Sequence, residues 1–333
     1  MWRKLWMAIV GMVLILWMGG WAVAGEKVVI KLGHHHAPGG VVDQTANKFK
    51  DVIRAKSGGT IEVQVFPGAQ LGQEMEAIDG VHLGTVDMSI VSPSLMGKYH
   101  PAMGLDALPY LFDDWKHVDR ALNGPVGAKM AELMLKRSNI RILRFLHLGF
   151  RDMLFVEKKI ESADQMRGLK MRSPEAWAWI RMYELLGSKP TPITWGEVYS
   201  ALQTKVVEGV DAPPQMFLDM KFFEVSKHLL KTNSMFAVLT MVVNEKFYQR
   251  LPEASRKVLG DSAVEGVDHI NWNVANPAEQ AAYQKLKARG ITVSETDRTA
   301  WRTRVLSQHE EFVKQKGPEA KELLDMVYRL SAK

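Results

Sequence analysis

The chain has no cysteine among its 333 residues. This absence excludes disulfide bonds, thiol nucleophiles and cysteine-ligated zinc sites. A chain without disulfides has to be stabilised by its hydrophobic core, and this length is sufficient to form one. By length, the chain is expected to form two domains.

The chain also lacks a strong charge of either sign. Its formal net charge is +6 at pH 7, and residues 1–24 contribute two of those positive charges and no negative ones, so the remainder carries +4. Such a balance gives a mildly basic surface, and no Lys/Arg cluster interleaved with aromatic residues is present. We therefore expect no nucleic-acid partner.

Long apolar runs are absent except at the N-terminus. Arg3 and Lys4 precede an apolar stretch from Leu5 to Met18, and Ala22-Val23-Ala24 has the small-x-small pattern of a signal peptidase site. The stretch is short for a membrane span, which needs about 20 residues. Residues 1–24 are therefore expected to be a signal peptide of an exported protein. The apolar flank from residue 17 to 23 leaves an uncleaved anchor as the alternative.

Strand and helix patterns alternate along the rest of the chain. The predicted strands cover residues 28–32, 61–65, 86–91, 141–146, 153–156, 169–172, a short stretch near 210, and 237–243. The predicted helices cover residues 42–53, 74–83, 126–137 and 174–186, and the chain is mostly helical from about 253. This alternation indicates an α/β fold with a largely parallel sheet. Because no linker separates two domains, we expect the chain to cross between them several times, beside a cleft.

Arg172 ends a short predicted strand and is the first candidate for binding an anion. Its planar guanidinium matches a carboxylate bidentately. Ser173 is expected to cap the next helix, with Pro174 at its first position, which would add free N–H groups and a positive dipole end. The alternative is an ion pair with a structural acid. Arg151, after a strand and a glycine, is a second candidate cation or a surface arginine.

Aromatic residues near Arg172 are candidates for the wall of a pocket, since binding sites are mostly apolar with a few fixed polar groups. Trp177, Trp179 and Trp195 are the three tryptophans concerned. Trp179 also fits a helical core stripe with Tyr183 and Leu186, so at least one of the three is expected to serve packing.

The triplet His34-His35-His36 suggests a metal site, but successive strand residues face opposite ways, and His34 with His36 would need partners that the sequence does not indicate. No metal site is predicted. The motifs G-x-S-x-G, G-x-x-x-x-G-K-[ST], G-x-G-x-x-G and H-E-x-x-H are absent. We therefore predict no catalytic residue and no cofactor. An enzyme acting on a carboxylate through His36 or His147 is the alternative from another class.

Seven segments, in order, carry a resemblance to a known family. They are FPGAQLGQEMEAIDGVHLGTVDMSIVS, LPYLFDD, NGPVG, GFRDM, MRGLKMRSP, PITWGEVYSALQTKVVEGVDAP and VVNEKFYQRLP. Over nearly its whole length the mature chain resembles the solute-binding proteins of tripartite ATP-independent periplasmic (TRAP) transporters, of the C4-dicarboxylate-binding type. The resemblance implies a monomeric periplasmic clamshell of two α/β domains that binds a small organic acid in the cleft. It also implies, as partners, the small and large subunits of a TRAP membrane permease. A ligand sensor that docks on a receptor is the alternative within this structural class.

The resemblance also implies a domain division and a bracing helix. Residues 25–149 plus about 238–277 would form domain I, and residues 150–237 plus about 278–333 would form domain II. A long helix bracing both domains is expected within about residues 253–289. Asn276-Pro277 interrupts it, so a kink is predicted there.

The residues implied for ligand binding follow from the same matches. Arg172 corresponds to the family's principal carboxylate-binding arginine, Arg151 to a second one, and Trp195 to an aromatic residue of the site. Ser92 lies near the first-domain wall of the cleft, and His36 lies in the segment after the first strand. The remaining candidates for ligand contact are Asp211, Ala212 and Trp177.

One departure from the family concerns the segment Asp211-Ala212-Pro213. Many members carry an asparagine before this proline, and its amide helps to hold the ligand. Alanine leaves more room and one fewer hydrogen bond. The departure favours a monocarboxylate with an apolar or aromatic body.

Overall fold

The computed structural model describes residues 27–331, so the leader predicted over residues 1–24 lies outside the described residues. The strands are β1 (Val28–His34), β2 (Ile61–Phe66), β3 (Met88–Val91), β4 (Ile140–Phe155), β5 (Lys170–Ser173), β6 (Lys189–Pro192), β7 (Gly209–Ala212), β8 (His228–Asn244) and β9 (Thr292–Glu295). The α-helices are α1 (Val41–Lys56), α2 (Glu74–Leu83), α3 (Trp115–Leu122), α4 (Pro125–Arg137), α5 (Trp177–Leu185), α6 (Val198–Gln203), α7 (Pro214–Asp219), α8 (Glu245–Arg250), α9 (Glu253–Ile270), α10 (Asn276–Ala288), α11 (Arg298–Val305), α12 (Gln308–Lys316) and α13 (Pro318–Leu330). Short 3₁₀ helices cover Pro93–Lys98, Pro101–Ala107, Ala163–Met166, Trp195–Glu197 and Phe222–Glu224.

The strands form one mixed sheet in the order β2-β1-β3-β8-β4-β7-β5-β6, with β9 pairing beside β8. In the first half of the molecule, β1 pairs in parallel with β2 and β3. In the second half, β5 pairs in parallel with β6 and β7, and β9 pairs in parallel with β8. The predicted parallel pairing is therefore confirmed within each half, whereas the long central strands β4 and β8 are antiparallel to each other.

Strands β4 and β8 cross between the halves. The end of β8 pairs with β3 and its beginning with β9, while the end of β4 pairs with β7. The sequence predicted two strands with a break near Gly149, but β4 is one strand of 16 residues. Gly149 is a bulge with φ +110°, and the register with β8 shifts there. Because a bulge bends a strand without ending it, the chain crosses between the halves inside the sheet.

A continuous helical segment from residue 253 to 288 braces both halves, as predicted. It consists of α9, a π-helical turn over Asn271–Ala275, and α10. The interruption predicted at Asn276-Pro277 is this wider turn, which lies directly before the proline and has the Asn276 N–H donating to the Asn271 carbonyl. Since Pro277 has no N–H to give to the residue four before it, the ladder is broken at this point.

The architecture is the α/β clamshell with chain crossings that the sequence indicated, and the domain boundaries given above stay a prediction. Within residues 27–331, no helix has both the length and the apolarity needed to cross a bilayer.

Candidate functional site

A cavity lies where the two halves meet, beside the crossing strands. The cavity encloses about 570 Å³ when the open space at its mouth is included. The residues that line it are His35, His36, Glu74, Ser92, Ser94, Leu95, Leu148, Arg151, Arg172, Pro174, Trp179, Trp195, Ala212, Pro213, Met216, Ala237, Val238 and Leu239.

Arg172 brings a buried and uncompensated positive charge to this cavity. It lies in β5, is 4% exposed, donates through Nε to the Ile193 carbonyl at 2.9 Å, and has its Cζ 5.3 Å from the Trp195 ring centroid. No carboxylate of the described residues lies within 4.0 Å of its guanidinium. Burial, with repulsion from Arg151, lowers the pKa of Arg172 to about 10, so it stays charged at neutral pH. Its terminal nitrogens make no hydrogen bond within residues 27–331 and are available to an anion.

The helix after Arg172 starts later than the sequence predicted. Helix α5 begins at Trp177, with Ala176 at the N-cap, and not at Pro174. Ser173 is the last residue of β5, and its buried hydroxyl has no hydrogen-bond partner in the described part of the chain. A residue before proline is pushed towards extended backbone, which keeps Ser173 in the strand. The predicted helix N-terminus beside the guanidinium is therefore wrong, and Pro174 lines the cavity instead.

Arg151, on β4, is already paired with Asp211 on β7. Its Nε donates to the Asp211 carboxylate at 2.5 Å and its Nη2 to the Asp211 main-chain carbonyl at 2.5 Å. The Tyr183 hydroxyl and the Trp179 indole N–H also donate to this carboxylate, at 2.7 and 3.3 Å. Burial alone would raise the pKa of Asp211, but Arg151 and these hydrogen bonds lower it below its usual value. Asp211 therefore holds Arg151 from behind and does not line the cavity.

Several polar groups of the cavity wall have no partner within the described chain. The Trp195 indole N–H and the Ser94 hydroxyl are both buried and unpaired. The His36 ring lies 5.7 Å from the Trp195 ring, and its pKa is well below the usual value because of burial, with repulsion from nearby histidines and arginines. A neutral imidazole can donate or accept a hydrogen bond. Buried polar groups normally have partners, so this wall is suited to a polar ligand or to water.

Residues 32–316 match the family model DctP, described as bacterial extracellular solute-binding protein, family 7. The chain belongs to this family.

Relatives and solved structures agree with membership of family 7. The chain is 30% identical to the C4-dicarboxylate-binding periplasmic protein DctP of Rhodobacter capsulatus, over 88% of this chain and 89% of the relative. A TRAP periplasmic solute-binding protein from Polaromonas sp. JS666, bound to D-erythronate, is 27% identical with a TM-score of 0.86, over 92% of this chain and 100% of that one. A protein of the same type from Roseobacter denitrificans OCh 114, with bound L-galactonate, is 25% identical with a TM-score of 0.83, over 92% of this chain and 99% of that one.

The cavity brings together most of the residues that the sequence predicted for ligand binding. The predicted residues that line it are Arg172, Arg151, Trp195, Ser92, His36 and Ala212. Trp177 does not line it, because its ring packs near Phe312 at 6.2 Å and lies beneath the Lys316 ammonium. Trp179 does line it, although the same residue fitted a core stripe. The roles of all these residues in ligand contact stay predictions.

The sequence did not point to Glu74 as part of the site. It is the first residue of α2, where an acidic side chain is common for reasons of helix polarity alone. The structure places its carboxylate in the cavity wall opposite the second half, with His35 and Ser92 beside it. No local pattern could have found this, because the contact depends on how α2 packs against β1 and β3.

The remaining histidines do not support the alternatives considered from the sequence. His34 pairs through Nε2 with Asp43 at 3.1 Å, so it does not share a site with His36. His147 is fully buried against Trp115 and Phe236, and burial lowers its pKa to about 3. It lies outside the cavity lining, which gives it no access to a ligand there. Among residues 27–331, no three or more His, Asp or Glu side chains are grouped to hold a metal ion.

Proposed function

We propose that this protein captures a small organic acid through its carboxylate in the cavity between its two halves. It delivers the acid, as a periplasmic monomer, to the small and large subunits of a TRAP membrane permease. An organic acid as the ligand is supported by one relative named for C4-dicarboxylate binding and by two similar structures bound to D-erythronate and L-galactonate.

The observation that carries this proposal is that the guanidinium of Arg172 has no carboxylate partner within residues 27–331. A buried charge without a partner is costly, so a protein that keeps one has a use for it. A carboxylate ligand would supply the missing negative charge and accept the free N–H groups in a bidentate arrangement. The Trp195 indole N–H, buried and unpaired beside it, would donate to the same ligand.

The geometry also supports capture by closure. The cavity takes residues from both halves, and its floor is formed by the crossing strands at Leu148, Arg151 and Ala237–Leu239. A ligand that contacts both walls binds the closed form better than the open form and shifts the population towards closure. A permease, or the receptor of a sensor, would then recognise the closed form.

The test is a thermal-shift screen of residues 25–333, freed of ligand by unfolding and refolding, against a panel of small carboxylates. An acid at a thousand times its Kd adds about 4.1 kcal/mol, which for about 300 residues raises Tm by roughly 6 °C. Arg172→Ala should weaken binding of that acid by about 2–5 kcal/mol, or 30- to several-thousand-fold.

Arg167→Ala is the matched control, because Arg167 is an exposed arginine of the same half and does not line the cavity. It should leave the affinity unchanged. A loss of less than about threefold in Arg172→Ala would mean that Arg172 is structural. No Tm shift with any carboxylate would overturn the proposed function.

A further inference from the structure

Glu74 places a second carboxylate inside a cavity proposed to hold a carboxylate ligand. Its side chain is 14% exposed and lines the same space as Arg172. One oxygen accepts the Ser92 main-chain N–H at 2.6 Å, and the other lies 3.1 Å from His35 Nε2. Two fixed partners on two different segments hold this carboxylate in place.

No lysine or arginine lies within ion-pair distance of Glu74 in the described part of the chain. Its only ion-pair partner there is His35. Burial is the main reason that the pKa of His35 is lowered, and Arg172 adds to the effect against the pull of Glu74. The ring is therefore neutral at pH 7, and as an acceptor-only group Glu74 takes the Nε2 hydrogen. The Glu74 carboxylate in this wall is therefore held by two hydrogen bonds from neutral groups.

Among the lining residues, Arg172 is the only arginine without a carboxylate partner in the described part of the chain, and its terminal nitrogens are free to contact an anion. Asp211 neutralises Arg151 in a buried ion pair, so Arg151 has no excess charge to offer a ligand. Arg172 and Glu74 then cancel, and one bound carboxylate leaves the site with a single excess negative charge. A second carboxylate on the same ligand would double that excess, with no further cation among the lining residues.

The rest of the lining offers little to a second carboxylate. Beyond the arginines, the histidines and the serines, the walls are apolar and include Leu95, Leu148, Met216, Val238 and Leu239, with the methyl group of Ala212 at the end of β7. Placing a charged group against such a wall removes its hydration without replacement.

We propose that Glu74, held by Ser92 and His35, is a specificity residue that restricts the ligand to acids with a single carboxylate and an uncharged body. Like charges brought together in a site weaken binding strongly, so the exclusion works by repulsion and not by shape. This inference rests on the proposed function, since it concerns the same cavity.

The experiment compares matched acids that differ by one carboxylate, by calorimetric titration of the ligand-free protein. Suitable pairs are butanoate with succinate, 2-oxopentanoate with 2-oxoglutarate, and galactonate with galactarate. In the pair that binds best, the wild type should bind the monoacid at least about 100-fold more tightly than the diacid. Glu74→Gln keeps the shape and the hydrogen bond from the Ser92 N–H, and its amide N–H can donate to His35 Nε2 when the imidazole takes its other neutral tautomer. The substitution should reduce that ratio to below about 10, mainly by strengthening the diacid.

Glu76→Gln is the matched control, because Glu76 lies half a turn away on α2, caps the Gln73 N–H and does not line the cavity. It should keep the wild-type preference, and the ligand-free Tm of each variant checks that it is folded. A wild type that binds the diacid as well as the monoacid, or a Glu74→Gln variant with an unchanged ratio, overturns the inference while leaving the proposed function intact. Failure of all six acids to bind any of the proteins counts against the proposed function itself.

Discussion

Asp211→Asn isolates the charge of the buried carboxylate that holds Arg151. Asparagine keeps an oxygen for Arg151 and Trp179, and its amide nitrogen can face the Tyr183 hydroxyl, which turns to accept. The shape and most hydrogen bonds are therefore retained. What is lost is the negative charge, which leaves Arg151 buried and unpaired beside Arg172.

Breaking a buried ion pair on one side costs about 3–5 kcal/mol. With an unfolding entropy of about 0.6 kcal/mol per kelvin for some 300 residues, Tm should fall by roughly 5–8 °C. The assay is urea and thermal unfolding of the ligand-free protein, followed by circular dichroism. Asp164→Asn is the control, since Asp164 is 82% exposed in a surface pair with Arg304 and should cost less than about 1 kcal/mol.

The pH dependence of Asp211→Asn gives a second check on the same reasoning. Because the folded-state pKa of Asp211 is lowered, its stabilising contribution is fully present above the unfolded pKa of about 3.9 and is lost as pH falls through the folded pKa. The wild type and the variant should therefore differ by a constant amount from about pH 5 to 8 and converge only in stronger acid. A variant as stable as Asp164→Asn at pH 7 would refute the argument that Arg151 depends on Asp211.

Two further predictions test single groups. Trp195→Phe removes the indole N–H that is unpaired within the described chain, so the affinity for the acid should fall about tenfold while the ligand-free Tm stays within about 2 °C. Trp177→Phe, outside the cavity, is the control and should change neither quantity. An unchanged affinity in Trp195→Phe would mean that this N–H does not contact the ligand. Asp152 is buried, which raises its pKa to about 7 against the effect of hydrogen bonds from Tyr283 and Asn233. The wild type should therefore lose up to about 4 kcal/mol of stability as pH rises from 4 to 7, and Asp152→Asn should lack this slope in urea titrations; parallel pH profiles would contradict the assignment.

The parts of the fold that the sequence predicted are those set by local pattern. Alternation of Ile61, Val63 and Val65 with polar residues is a property of the chain itself, and β2 begins at the predicted residue. The helix predicted over residues 74–83 has the same bounds in the structure. The strand end that carries Arg172 was also predicted, because one arginine at the end of a short apolar run is visible without tertiary information.

The parts that were missed depend on residues far apart in the sequence. The sequence pattern was read as restarting after Gly149, but pairing of β4 with β8 on one side and β7 on the other keeps the strand continuous. Asp211 was predicted to contact the ligand from the resemblance of Asp211-Ala212-Pro213 to the family's segment. Its partner Arg151 lies 60 residues away, and only the packed sheet brings the two together.

The antiparallel pairing of β3 with β8 has a consequence for how the chain is made. Thr240–Val243 pair with Met88–Val91, so about 150 residues have to be synthesised after β3 before its second edge is covered, which takes roughly 7–30 s at ribosomal rates. During that interval the nascent first half presents an open strand edge and cannot complete its core. Exposed edges of this kind are what chaperones recognise and what aggregation uses. The chain therefore cannot complete its native fold until nearly three quarters of the protein has left the ribosome. A nascent chain that stays unfolded for that long is in the state that translocation through a membrane channel requires.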